Sequence, residues 1–173
     1  MLCAGRSFVT FKVGDDVVYP SQGAGTIEEM TTREVLGEKH DYLKIVFISG
    51  DMEVLVPLKK GQEVGLRHTI GKDEVEQIYD TLAKADLTLP NAWPPRFRAE
   101  QEIIATGNAY ELAKLIGVLY QRDLEKGLAA TEREIMEKAK DMLASEIAVV
   151  KKQKLESTKT ELNQFVADAI SIS

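Results

Sequence analysis

Hydrophobic residues change their period once along this chain, near residue 70, and the change divides it in two. Before that point they alternate with polar residues or form short runs between turn residues. Asp16-Val17-Val18-Tyr19 stops at Pro20, and residues 26–35 read as a longer strand broken by Leu36-Gly37-Glu38. Tyr42-Leu43-Lys44-Ile45-Val46-Phe47-Ile48 is rich in β-branched and aromatic side chains, and Met52-Glu53-Val54-Leu55-Val56 alternates up to Pro57. Ser21-Gln22-Gly23-Ala24-Gly25 reads as a glycine-punctuated turn and Ser49-Gly50-Asp51 as a shorter one. Short strands and tight turns within about sixty residues predict a small, strongly curved antiparallel barrel of Tudor or SH3 size.

After residue 70 the spacing is helical. Val75, Ile78, Tyr79 and Leu82 fall on one face. Ile103 and Ile104 belong to a second helix ending near Thr106-Gly107, and Asn108 is placed to cap a third. Leu112, Leu115, Ile116 and Leu119 form the stripe of that helix, which Lys126-Gly127 closes. Thr131 with Glu134 makes a capping box for a fourth, whose inner face is Ile135, Ala139, Met142, Leu143 and Ile147. Thr158 with Glu161 offers a second box, so Leu162, Phe165 and Val166 belong to a short fifth helix or to the end of a bent fourth. The fold class predicted is α+β: a Tudor/SH3-like antiparallel β-barrel over 8–67, then a compact all-helical domain over 72–165, meeting around residues 66–72.

The 44% apolar content of these 173 residues fits a globular protein with a real core. No apolar run is long enough to cross a bilayer, and the first ten residues lack a continuous apolar stretch, which predicts no membrane partner, no signal peptide and a cytoplasmic location. Cys3, the only cysteine, is expected to be a bystander thiol. Nothing resembles a catalytic or metal set, and no cofactor or small-molecule substrate is implied. His40 and His68 show no ligand spacing. Gly23-Ala24-Gly25 is followed by neither Lys-Ser/Thr nor a helix, which removes a phosphate loop. Asp15-Asp16 and Glu28-Glu29 are adjacent, so on a strand their carboxylates diverge. An enzyme is therefore not expected. The net charge of −6 is the wrong sign for a chain that grips DNA unaided, so any nucleic-acid contact needs a local basic patch and a partner that delivers it.

Two places look built for binding. The first is Leu89-Pro90-Asn91-Ala92-Trp93-Pro94-Pro95-Arg96-Phe97-Arg98, which holds the only tryptophan. Prolines stiffen the backbone around it. A large apolar ring beside guanidinium groups has the composition of a wedge against nucleic acid or of a buried hinge anchor, and spacing alone favours the anchor. The second is the barrel's outer face. If Met52, Val54 and Val56 fill the interior, Leu55 faces out, and the nearby string Thr32-Arg33-Glu34-Val35 adds an outward Arg33. Such a face docks a partner, unless Leu55 packs on the helical domain.

Phe11-Lys12-Val13-Gly14-Asp15 with Val17-Val18-Tyr19-Pro20, then Gly23 and Gly25, resembles the opening of the CarD/CdnL family of bacterial transcription regulators. So do Val56-Pro57, Val64-Gly65-Leu66-Arg67, Pro90 with Trp93, and Asp123-Leu124-Glu125-Lys126-Gly127-Leu128. The likeness runs from Phe11 to about Val149, leaving the first ten residues and those after Val150 outside it. It implies a Tudor-like domain that binds the β subunit of RNA polymerase, of a type also found in transcription-repair coupling factor, and a helical domain that lies on promoter DNA. It further implies that Trp93 wedges into the minor groove at the upstream fork of the bubble and stabilises the open promoter complex. Arg96 and Arg98 would stand beside the wedge, with Arg122 and Arg133 as further phosphate ligands. Arg33, Glu34 and Leu55 are the polymerase-facing candidates. Two departures stand out: Leu55 occupies the position before Val-Pro where the family usually carries a basic residue, and Pro95 stands beside the wedge where many relatives have a basic residue. The lack of a basic, AT-hook-like extension points to the CdnL type. An adaptor that never touches DNA is the alternative.

Overall fold

A computed structural model describes residues 9–50 and 52–170; Cys3 and the start of the amino-terminal segment lie outside them. The first half is one antiparallel sheet made of β1 (Asp16–Tyr19), β2 (Gly23–Val35), β3 (Glu38–Phe47), β4 (Glu53–Pro57) and β5 (Arg67–His68), in the order β4-β3-β2-β1-β5. Its inner face gathers Phe11, Val17, Ile27, Leu43, Ile45, Phe47, Val56 and Leu66 into one core, and the domain is Tudor-like, as the strand pattern predicts. Leu36 and Gly37, both with positive φ (53° and 82°), make the two-residue turn between β2 and β3.

Residues 23–25 differ from expectation. The turn is confined to residues 20–22, and Gly23, Ala24 and Gly25 already pair with β1. Gly23 serves close approach: a Cβ there would stand 2.7 Å from Ser145 Oγ in the helical half.

The second half packs α1 (Val75–Lys84), α2 (Trp93–Thr106), α3 (Ala109–Lys126), α4 (Ala130–Lys151) and α5 (Leu155–Ile170) around a separate core. The predicted stripes are the buried ones: Leu112, Leu115, Ile116 and Leu119 of α3, and Ala139, Leu143 and Ile147 of α4, are each fully enclosed. Gly107 and Gly127 end α2 and α3 with positive φ. Asn108 caps α3, its Oδ1 accepting from the N–H groups of Tyr110 (3.0 Å) and Glu111 (3.1 Å). Asn108→Ala is expected to cost about 1 kcal/mol in urea unfolding, with Asn108→Gly losing only a few tenths; equal losses would contradict the cap.

Three helix starts depart from the sequence reading. Trp93 is the first residue of α2 rather than part of a preceding turn, because Pro94 and Pro95 fall in the first helical turn, where missing N–H groups leave no gap. The fourth helix begins at Ala130, ahead of the Thr131–Glu134 box; Glu132 reaches back to accept the Ala129 N–H at 3.3 Å. The fifth begins at Leu155, after Lys152 breaks the run with a left-handed φ of 53°, and Thr158 Oγ1 donates to the Lys154 carbonyl inside it.

A polar seam joins the two cores. Arg67, on edge strand β5, donates to both carboxylate oxygens of Glu146 on α4, from Nη1 at 2.7 Å and Nη2 at 2.9 Å. Its Nη2 also donates to the Gly107 carbonyl at 2.7 Å. Glu146, only 1% exposed, further accepts the Ile70 N–H at 2.9 Å. Next to it, Ser145 Oγ accepts the Ala24 N–H (2.9 Å) and donates to the Met142 carbonyl (2.6 Å).

Candidate nucleic-acid interface

The indole of Trp93 stands at the amino-terminal end of α2 and is 39% exposed, so it is not the buried anchor that spacing favoured. Two side chains on the next turn hold it. Phe97, four residues on, lies with its ring centroid 5.3 Å from the indole, and Arg96, three residues on, places its guanidinium 5.5 Å from the indole centroid. Residues three and four apart share a helix face, so local geometry dictates this stack.

Arg96 itself corrects the sequence reading. A phosphate ligand needs a solvent-facing guanidinium, but Arg96 is 6% exposed and two of its three nitrogens are engaged. Nε donates to Glu132 Oε1 at 2.7 Å and Nη1 to the Asn91 carbonyl at 2.6 Å. Glu100, one turn further along α2, lies 3.8 Å away. Arg122 of α3 directs its Nε toward the same Glu132 oxygen, 3.7 Å away, but its side chain stays 29% exposed, so it differs from Arg96 in reaching solvent. Two guanidinium groups and two carboxyl groups therefore form one cluster, which touches the indole through Arg96. Glu100 has no exposed surface and neither carboxyl oxygen has a hydrogen-bond partner. Burial, and then the negative charge of Glu132, push its pKa up to about 7 against the opposing pull of Arg96 and Arg122.

Arg98 is exposed and free of the cluster. Arg133 is more than half exposed and lies 3.3 Å from Asp123, whose Oδ1 also accepts the Leu128 N–H at 3.0 Å. The string from Asp123 to Leu128 thus folds the α3–α4 connection on itself. Among the described residues, no cluster of three His, Cys, Asp or Glu side chains forms a metal ligand set, and no helix is long and apolar enough to cross a membrane.

On the sheet, Leu55 pairs with Lys44, and Arg33 pairs with His40 on the same strand. His40 and Lys44 are four residues apart, so Arg33 and Leu55 share the outer face, about 13 Å apart along β3. Glu34 alternates to the reverse face. The helical half packs on β2 and β1 through α4, and Leu55 remains 36% exposed on edge strand β4.

Sequence reading overlooked Glu100, Glu132 and Glu146. Each leaves a trace: Glu100 follows Arg96 by four, Glu132 sits three residues into its helix, and Glu146 is an acid inside the apolar stripe between Leu143 and Ile147.

A curled five-stranded domain tied to a helical domain with a semi-exposed indole defines a two-part binding protein. Comparison with known proteins narrows this. Residues 11–70 match the CarD-like/TRCF RID domain, and residues 77–163 match the CarD C-terminal domain. YdeB of Bacillus subtilis (strain 168), described by name as a transcription factor, is 32% identical over 143 residues, which span 82% of this chain and 92% of YdeB. The chain belongs to the CarD/CdnL family, and transcription regulation is its field of action.

Proposed function

We propose that this protein docks on the β subunit of RNA polymerase through its 8–67 unit and stabilises the open promoter complex through its 72–165 unit. Arg33 and Leu55 make the docking face, and Glu34, on the reverse side, stands apart from it. The Trp93 indole enters the minor groove at the upstream edge of the bubble, Arg98 neutralises the adjacent phosphate, and Arg122 and Arg133 lie behind as secondary contacts. The observation that carries this reading is the semi-exposed indole stacked at the start of α2.

The energetics are those of a population shift: a factor that binds the open form better moves the equilibrium by its differential affinity. Unstacking a base step costs a few kcal/mol, less at a fork already disturbed. A stacking gain of about 1–3 kcal/mol corresponds to an open-complex lifetime longer by about five- to 150-fold. Docking on polymerase raises the local concentration of the indole, which reconciles the net charge of −6 with DNA contact. Trp93→Ala is expected to leave polymerase retention unchanged and to shorten open-complex lifetime about five- to 150-fold on weak promoters. An unchanged lifetime with intact retention overturns the wedge in favour of an adaptor.

A further inference from the structure

We propose that Arg96 is a positioning residue for the indole, fixing the direction in which Trp93 leaves the surface rather than meeting a phosphate. The geometry carries it. The guanidinium covers the indole at 5.5 Å, while its edge is pinned by Glu132 and the Asn91 carbonyl. Glu132 is itself anchored by the Ala129 N–H and flanked by Arg122. A chain of contacts thus runs from the start of α4 through Arg96 to the ring, with Phe97 beside it. Prolines in the first turn of α2 fix the backbone that bears Trp93, and Arg96 and Phe97 restrict what remains, the rotation of the side chain. A ring ordered before binding loses less freedom on entering a groove, a gain of roughly two- to tenfold in affinity for one side chain. Lysine cannot replace arginine here, because a compact ammonium cannot span the ring, Glu132 and Asn91 at once.

The ring-holding half concerns the free protein; the effect on open complexes rests on the function proposed above. The test uses the full chain with Arg96→Lys, Arg96→Met and Glu132→Gln, each checked by thermal unfolding. Glu132→Gln preserves shape and leaves both arginines, so it serves if the Arg96 variants fail to fold. The single indole N–H is followed by nuclear spin relaxation, and open-complex lifetime is measured against salt with polymerase present. Positioning predicts a more mobile indole in all three variants and lifetimes shortened roughly two- to tenfold, with the salt dependence of wild type. A phosphate ligand predicts an unmoved indole and, in Arg96→Met, a salt exponent lower by about 0.9; that result overturns the proposal, as does unchanged relaxation in every folded variant. A loosened indole with unaltered lifetime overturns the affinity gain where Trp93→Ala still shortens that lifetime, and sinks the minor-groove wedge instead where Trp93→Ala leaves it unaltered too.

Discussion

Glu146→Ala is expected to destabilise the protein by about 3–5 kcal/mol, the range for breaking a buried ion pair from one side. Glu146 is enclosed, and its two oxygens satisfy both terminal nitrogens of Arg67 and the Ile70 N–H. Alanine removes all three acceptor contacts and leaves the Ile70 N–H, at the junction of the domains, without its carboxylate. Arg67 is about a third exposed, so its charge can turn partly to water, which moderates the loss towards the lower end. Glu146→Gln, which retains shape and one acceptor, should lose less. Urea unfolding followed separately by tryptophan fluorescence and by a probe in the sheet reads the effect. Wild type should unfold in one transition, whereas the alanine variant should show a lower midpoint and diverging probes. A loss under about 1 kcal/mol, the scale of an exposed pair, would mean that the seam holds through Ser145 and apolar contacts without this ion pair.

Glu100→Gln should remove a pH dependence that opposes the usual acid sensitivity of proteins. The carboxyl group is pushed from 4.5 to about 7 by burial and by Glu132. Between those values the folded chain keeps a proton that the unfolded chain has released, so stability falls as pH rises. This contribution is fully present below pH 4.5, declines by about 1.4 kcal/mol per pH unit across the window, and is lost above pH 7. It totals about 3 kcal/mol at most. The neutral amide carries no such titration. The difference in unfolding free energy, variant minus wild type, should therefore grow from pH 5 to pH 8 in favour of the variant. Subtracting the two curves cancels the other carboxylates, and parallel curves would show that Glu100 ionises normally.

Much of the architecture was legible because it follows local rules. Asn108, Gly107 and Gly127 announce helix ends through their own backbone preferences, and the α3 and α4 stripes are periodic. The hairpin at Leu36-Gly37 lies between two long apolar-polar alternations. The start of α4 was not legible, because Ala129 carries no capping side chain and the Thr131–Glu134 pair nearby mimics a stronger signal. The role of Arg96 was hidden for a different reason. A guanidinium beside a tryptophan reads as surface chemistry until Glu132, thirty-six positions away, is brought underneath it by the packing of α2 on α4. Gly23 looked like turn punctuation, whereas its lack of a side chain admits Ser145 from the other domain.

The bond between Arg67 and Glu146 has a geometric corollary for promoters. A joint secured by directed hydrogen bonds resists rotation in a way that a greasy contact does not, so the chain behaves as a calliper with both jaws set. On the proposed docking, the span from polymerase to indole is held nearly constant, and a fork displaced along the duplex, by about 3.4 Å per base pair, meets the indole less well. Discrimination among promoters would then depend in part on where melting begins.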